Sequence, residues 1–159
     1  MSSEDATPTQ VILLECNLDD MTGEALGYAL ERILAGGALD VWYTPIYAKK
    51  NRPAVLLSVL CRVDDQDRMT AMVLTETSSL GVRRRKIDRI ICARESITVD
   101  TPWGPVSCKV KKLGGRVLNV KPEYEDCARL ASEYDLSLEQ VTERARRAAW
   151  DRVERDDIV

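Results

Sequence analysis

Histidine is missing from all 159 residues. That removes imidazole acid–base catalysis, Ser-His-Asp and Cys-His nucleophile systems, and every metal site that needs an imidazole. Any ion must sit on carboxylates, carbonyls, thiolates or a ligand's own oxygens. Phenylalanine is missing too, so a core has to be built from Leu, Val, Ile and Ala. Long apolar runs are lacking: Ala54–Cys61 is strand-sized, far short of the ~20 residues that cross a bilayer. The five cysteines form no CxxC pair. An odd, scattered set of this kind argues for apolar thiols in a reducing compartment rather than a disulfide framework or a zinc site. No secretory leader pattern is seen, so the expected location is cytoplasmic, with no membrane partner. Nor is there a large charge of one sign. Lys+Arg 23 against Asp+Glu 26 gives −3, which argues against a domain held to nucleic acid by bulk charge.

What is present is ample for folding: 45% hydrophobic and 31% charged residues. Residues 1–10 are polar and read as a disordered leader. Val11–Leu14 is a short apolar strand. From Thr22 to Ala35 apolar residues recur at helical spacing, and Gly36-Gly37 supplies the stop. Asp40–Tyr47 and Ala54–Cys61 read as strands, with Pro45 placing the former at an edge or a bulge. Asp64–Glu76 is a second helix and Val82–Ala93 a fourth strand. The order β-α-β-β-α-β is the ferredoxin-like arrangement, so the expected class is α+β with an antiparallel sheet over residues 11–94. Residues 95–159 read as a β-hairpin extension and C-terminal helices. Thr101–Gly104 and Gly114-Gly115 are its turns. Pro122 opens a helix with Cys127, Leu130, Ala131 and Tyr134 on one face. Ser137–Gln140 is a capping box for the last helix, ending near Trp150.

Three polar segments lie between apolar elements, where binding groups usually sit. The first holds Glu15, Asp19, Asp20 and Glu24. These hard oxygens suit Mg2+ or Mn2+ shared with phosphate, and Asp19 or Asp20 is equally a helix cap. The second is Lys49-Lys50-Asn51-Arg52-Pro53, suited to a polyphosphate, or simply a solvated turn that blocks edge pairing. The third includes Thr77, Ser78, Ser79, Gly81, Arg83 and Arg85. A hydroxyl-lined turn of this kind can cradle phosphate, although it is no Walker A loop because it leads into a strand. Arg83 and Arg85 share one strand face, Arg84 and Lys86 the other. The turns after strands one and three are expected at one end of the sheet. The turn before strand four is expected at the other end, unless a neighbouring subunit supplies it, which implies a homo-oligomer with inter-subunit sites.

Glu15–Glu24, Gly37–Trp42, Lys49–Pro53, Glu76–Arg83 and Pro122–Cys127 together resemble the motifs of the LarC family of nickel-insertion proteins. The likeness runs from Val11 to about Trp150. Its members complete the nickel-pincer nucleotide cofactor of lactate racemase. The resemblance implies a CTP-dependent nickel chelatase (a cyclometallase of the lyase class) acting on pyridinium-3,5-bisthiocarboxylic acid mononucleotide. Family members are longer, with an N-terminal domain whose histidine-rich stretch handles Ni2+, so this chain resembles the C-terminal domain, implied to bind CTP with Mg2+ or Mn2+. Lys49, Lys50, Arg52, Ser78, Ser79 and Arg83 would then neutralise the triphosphate, and Asp19 and Asp20 would hold the divalent ion. The competing reading is a nucleotide-binding oligomerisation or regulatory module without chemistry of its own. RNA binding is disfavoured by the lack of exposed sheet aromatics in the expected pattern.

Overall fold

The computed structural model describes residues 6–156. They form six strands and four α-helices. In chain order these are β1 (Ala6–Leu18), α1 (Gly23–Ala35), β2 (Asp40–Ala48), β3 (Arg52–Arg62), α2 (Gln66–Glu76), β4 (Arg83–Thr101), β5 (Gly104–Leu113), β6 (Arg116–Pro122), α3 (Tyr124–Glu133) and α4 (Leu138–Asp156). The hydrogen-bonded strand order is β2-β3-β1-β4-β5-β6. The chain divides into two compact units at Arg89/Ile90, inside β4.

Residues Pro8–Arg89 make the β-α-β-β-α-β unit anticipated from periodicity. β3 pairs antiparallel with β1 and with β2. Ile12, Leu14, Cys16 and Leu18 alternate along β1 into the core, as period-two side chains must. Ile33 of α1, Met69 and Val73 of α2, and Leu57, Val59 and Cys61 of β3 close over them. Branched aliphatics and thiols do the filling that phenylalanine does elsewhere. Pro45 sits on β2, an edge strand, where its missing N–H costs no ladder bond. Thr22 caps α1, its Oγ1 accepting from the Ala25 amide at 3.2 Å.

In the unit from Ile90 onward, β5 pairs antiparallel with β4 and β6. Val106, Cys108 and Val110 of β5 pack against Cys127 and Leu130 of α3 and Val141, Ala145 and Ala149 of α4. The capping box forms as expected. Ser137 Oγ accepts from the Gln140 amide at 3.2 Å, and Gln140 Oε1 accepts from the Ser137 amide at 2.9 Å.

Some expectations shift. Of the expected leader, residues 1–5 lie outside the described residues, and Ala6–Gln10 belongs to β1. Its polar side chains find partners on β4: Gln10 donates to Asp88 at 2.9 Å and Arg89 donates to Thr9 at 3.0 Å. β4 runs on to Thr101, past the expected end at Ala93. Pro122 closes β6 opposite Cys108 rather than opening a helix, and α3 starts at Tyr124. Tyr134 is a half-exposed C-cap residue rather than part of the apolar face. All five cysteines are free thiols, and four are buried.

Candidate functional site

The end of β1 gathers all three polar segments within one chain. Arg52, just after the β2–β3 loop, reaches Asp19 at 3.3 Å. Ser78, in the turn before β4, donates to Asp20. Arg83 donates to Asn17 at 2.7 Å, and Arg85 pairs with Glu15 at 2.8 Å. The expectation that the turn before strand four lies at the far end is therefore wrong. β1 and β3 are antiparallel with Val11 opposite Arg62, so it is the turn after β3 that lies at the far end. The turn after β1, the β2–β3 loop and the α2–β4 turn share the near end. No second subunit is needed to bring them together.

Each predicted residue has a definite place. Asp19 and Asp20 cap no helix, because Thr22 takes that role. Both are exposed and free to answer Arg52 and Ser78. Glu24 lies in the first turn of α1, where it favours the helix dipole. Among the described residues, no three His, Cys, Asp or Glu side chains gather into a metal cage. Glu15 is held by Arg85 on the sheet and Glu24 sits on the helix, leaving Asp19 and Asp20 as the exposed acids of the turn itself. Two carboxylates fit a hard ion that takes its remaining oxygens from water and phosphate.

Lys49, Lys50 and Asn51 form the three-residue loop between β2 and β3, all exposed. Lys50 (φ 61) and Asn51 (φ 55) are left-handed. For a lysine that costs about 1–2 kcal/mol, a strain typical of ligand-holding loops. Thr77 and Ser79 are engaged within their own turn. Thr77 Oγ1 donates to the Val73 carbonyl at 2.7 Å and Ser79 Oγ to the Gly81 carbonyl at 2.8 Å. The Gly81 amide returns to Ser79 Oγ at 3.4 Å. These hydroxyls shape the turn, and Ser78 alone among them turns to an acid across the site.

Arg83 and Arg85 share a face, as alternation requires, while Arg84 reaches Asp67 of α2 at 2.7 Å on the other. Cys16 lies beneath this end of the sheet. Burial pushes its thiol above the ordinary value, against the opposing pull of Ser79, Arg83 and Thr77. Burial also raises Tyr43, whose hydroxyl donates to the Leu26 carbonyl at 2.7 Å. Sequence reasoning missed Asn17 as the partner of Arg83. The signal was present, since it is the one amide in the acidic segment and lies two residues from Glu15 on an alternating strand. Tyr47 and Leu80 flank the loops and are almost fully exposed, at 84% and 103%.

The exposed Arg52–Asp19 pair is worth about 0–1 kcal/mol. Charge-assisted bonds to phosphate are roughly twice as strong as neutral ones. Such cations can exchange a carboxylate for a phosphate at little cost, and the carboxylates so released are then free for a cation.

The fold and this end define a ferredoxin-like domain presenting cations, hydroxyls and two exposed carboxylates on adjoining loops. The family model described as nickel insertion protein matches residues 1–142, and the chain belongs to that family. The pyridinium-3,5-bisthiocarboxylic acid mononucleotide nickel insertion protein of Lactiplantibacillus plantarum is 43% identical over 139 residues, covering 87% of this chain and 33% of that protein. Its counterpart in Thermotoga petrophila is 41% identical over 130 residues, covering 82% and 33%. The chain thus spans about a third of the length of these curated relatives. Among solved structures, LarC2, the C-terminal domain of a cyclometallase involved in synthesis of the lactate racemase nickel-pincer cofactor, matches with a TM-score of 0.84 at 43% identity. That match covers 90% of this chain and 99% of LarC2. Protein MK0293 of Methanopyrus kandleri shares the fold at a TM-score of 0.64 and 24% identity, over 89% of this chain and 88% of that one. No helix among the described residues is long and apolar enough to cross a membrane.

Proposed function

We propose that the chain is the C-terminal, metal–CTP-binding domain of a cytoplasmic nickel insertase. The insertase places Ni2+ into pyridinium-3,5-bisthiocarboxylic acid mononucleotide with CTP hydrolysis. The observation that carries the reading is the meeting of Arg52 with Asp19, Ser78 with Asp20 and Arg83 with Asn17 around the end of β1. In this reading Lys49, Lys50, Arg52 and Arg83 take the triphosphate, and Ser78 adds a hydroxyl. Asp19 and Asp20 hold Mg2+ or Mn2+, which neutralises phosphate charge once bound. Arg85 holds Glu15 in place on the sheet. Nickel is cargo, and among the described residues no soft donors gather into a cage for it. Tyr47 and Leu80 supply apolar surface for the base or for a second copy in a homo-oligomer.

Isothermal titration tests the reading. Saturable CTP binding that requires Mg2+ or Mn2+, and weakens in Lys50→Ala, is the expected result. An absence of heat with MnCTP would sink it.

A second reading is binding without turnover, as a regulatory or oligomerising module; the exposed Tyr47 and Leu80 beside the loops suit contact with a second copy. Cofactor formation by this chain from the nickel-free precursor, Ni2+ and CTP would exclude it.

A further inference from the structure

The face of β4, β5 and β6 turned away from α3 and α4 carries a groove that the nucleotide reading leaves unused. Its volume is about 380 Å3, lined by residues of all three strands, at the small end of the roughly 300–1,000 Å3 range of ligand sites. The strand register fixes what it presents. Arg94 stands opposite Lys111, which stands opposite Asn119, and Lys109 stands opposite Lys121. Directly opposed residues share a face, so four cations line one surface. The alternate residues Ile97, Cys108, Val110 and Val120 pack against the helices, although Val110 also borders the groove.

This arrangement works against folding. Like charges directly opposite across a ladder destabilise a sheet, and here there are two such pairs, Arg94–Lys111 and Lys109–Lys121. Lys109 is relieved by Glu123 at 2.6 Å. Among the described residues, no ion pair answers Arg94, Lys111 or Lys121. Three unanswered cations sit together in a chain of net charge −3. The strand register also shifts between Lys111 and Lys112, and such irregularities re-aim side chains and recur beside binding sites. The walls add apolar surface from Ile90, Cys92 and Ala93. An anion with an attached ring suits the groove better than a bare ion.

We infer that this groove binds the anionic pyridinium mononucleotide substrate, its cations holding the phosphate and the ring's thiocarboxylates while the ring lies on the β4 wall. The inference rests on the proposed function for the identity of the substrate. The charges match. A phosphomonoester carries about −1.5 to −2 at neutral pH. Two thiocarboxylates and one pyridinium bring the total to about −3, against three unanswered cations. Asn119, opposite Lys111, adds an uncharged donor.

The test titrates the whole chain with nicotinic acid mononucleotide, a pyridinium carboxylate mononucleotide. Saturable binding is expected. The combined Arg94→Gln, Lys111→Gln, Lys121→Gln variant should weaken it at least about tenfold, the loss of one or more charged hydrogen bonds. Lys111→Arg with Lys121→Arg should retain it. Should the triple variant not fold, Lys111→Gln alone should lower affinity by a factor of several with a melting temperature that does not fall, since the Arg94–Lys111 repulsion is relieved. No saturable binding, or binding equal in wild type and the folded variants, overturns the inference. Inorganic phosphate competing as well as the mononucleotide reduces the groove to a phosphate site and overturns it too. So does a single-stranded oligonucleotide that binds more tightly through the same residues. MnCTP run in parallel separates the two proposals. Loss of CTP affinity only in Arg52→Ala leaves both standing. A groove variant that keeps mononucleotide affinity but leaves CTP binding intact sinks this inference alone. A protein that binds the mononucleotide through the groove but never MnCTP sinks the nucleotide-site reading alone.

Discussion

The molecule carries two cationic surfaces, and they are built in opposite ways. At the end of β1, Arg52, Arg83 and Arg85 each have an acceptor within 3.3 Å: Asp19, Asn17 and Glu15. On β4–β6, Arg94, Lys111 and Lys121 have no acidic partner among the described residues and stand opposite cations instead, Arg94 against Lys111 and Lys121 against Lys109. A compensated cluster stays ordered without a ligand and keeps carboxylates at hand, as joint binding of an anion and its counter-cation requires. An uncompensated cluster stores repulsion that only an anion relieves. Cations suit phosphate on either surface, but only the first sets exposed carboxylates beside them.

The sharpest way to break this contrast is Arg52→Ala. It should weaken MnCTP binding by about tenfold or more, the loss of a charged hydrogen bond. Folding stability should change by less than about 1 kcal/mol, because the pair with Asp19 is exposed. Calorimetric titration and chemical denaturation read the two quantities. If stability falls as far as binding, Arg52 is structural and the compensated cluster is no ligand site.

The next effect tests the scaffold beneath the second surface. Gly104 opens β5 at φ 135, and an added Cβ would come within 3.2 Å of Leu130. Gly104→Ala should cost about 1–3 kcal/mol, read as a lowered denaturation midpoint, with MnCTP affinity unchanged. A third prediction concerns pH. Burial pushes the Cys108 thiol up to about 11, above its unfolded value. Its contribution is whole below the unfolded pKa and is lost as pH rises through the folded one. Stability should therefore decline between about pH 9 and 11. In Cys108→Ala the decline should be shallower, though the variant starts lower because of its cavity. Thermal melts across that range decide it, and an identical slope in both proteins would refute it.

Smaller effects fall on the first unit. Thr22→Ala should cost about 1 kcal/mol through the lost cap, measured by denaturant midpoint. Lys50→Gly should stabilise by up to about 1 kcal/mol by relieving a left-handed lysine, while weakening MnCTP as Lys50→Ala does. If Lys50→Gly gains stability and keeps its affinity, the loop's strain serves no ligand.

Much of the first unit was legible in the residues. Leu26, Ala29, Leu30 and Ile33 at helical spacing, and the Gly36-Gly37 stop, give α1 nearly to the residue. Pro45 pointed to the edge, and Ser137 with Gln140 to the start of α4. Boundaries failed where polar strand residues gained partners that no local pattern announces. Thr9 and Gln10 join β1 because Arg89 and Asp88 lie beside them. Pro122 looked like a helix opener because its partner across the ladder, Cys108, is distant in sequence. In the site, residue types were readable, but their use was not: Thr77 and Ser79 spend their hydroxyls on turn carbonyls, and only coordinates tell them from Ser78.

The chain's own order of residues determined which side chains are available and which face each takes, because helix and strand periods are local properties of the backbone. The absence of histidine, the three polar loops and the pairing of Arg83 with Arg85 on one face all follow from that. Which loops meet was decided by antiparallel pairing of β1 with β3 and by the return of α2. These depend on burying Ile12, Leu14, Leu57 and Met69 together, contacts between residues far apart in sequence. For the same reason Arg94, Lys111 and Lys121 became one surface only when three strands came into register, a fact no stretch of local sequence contains.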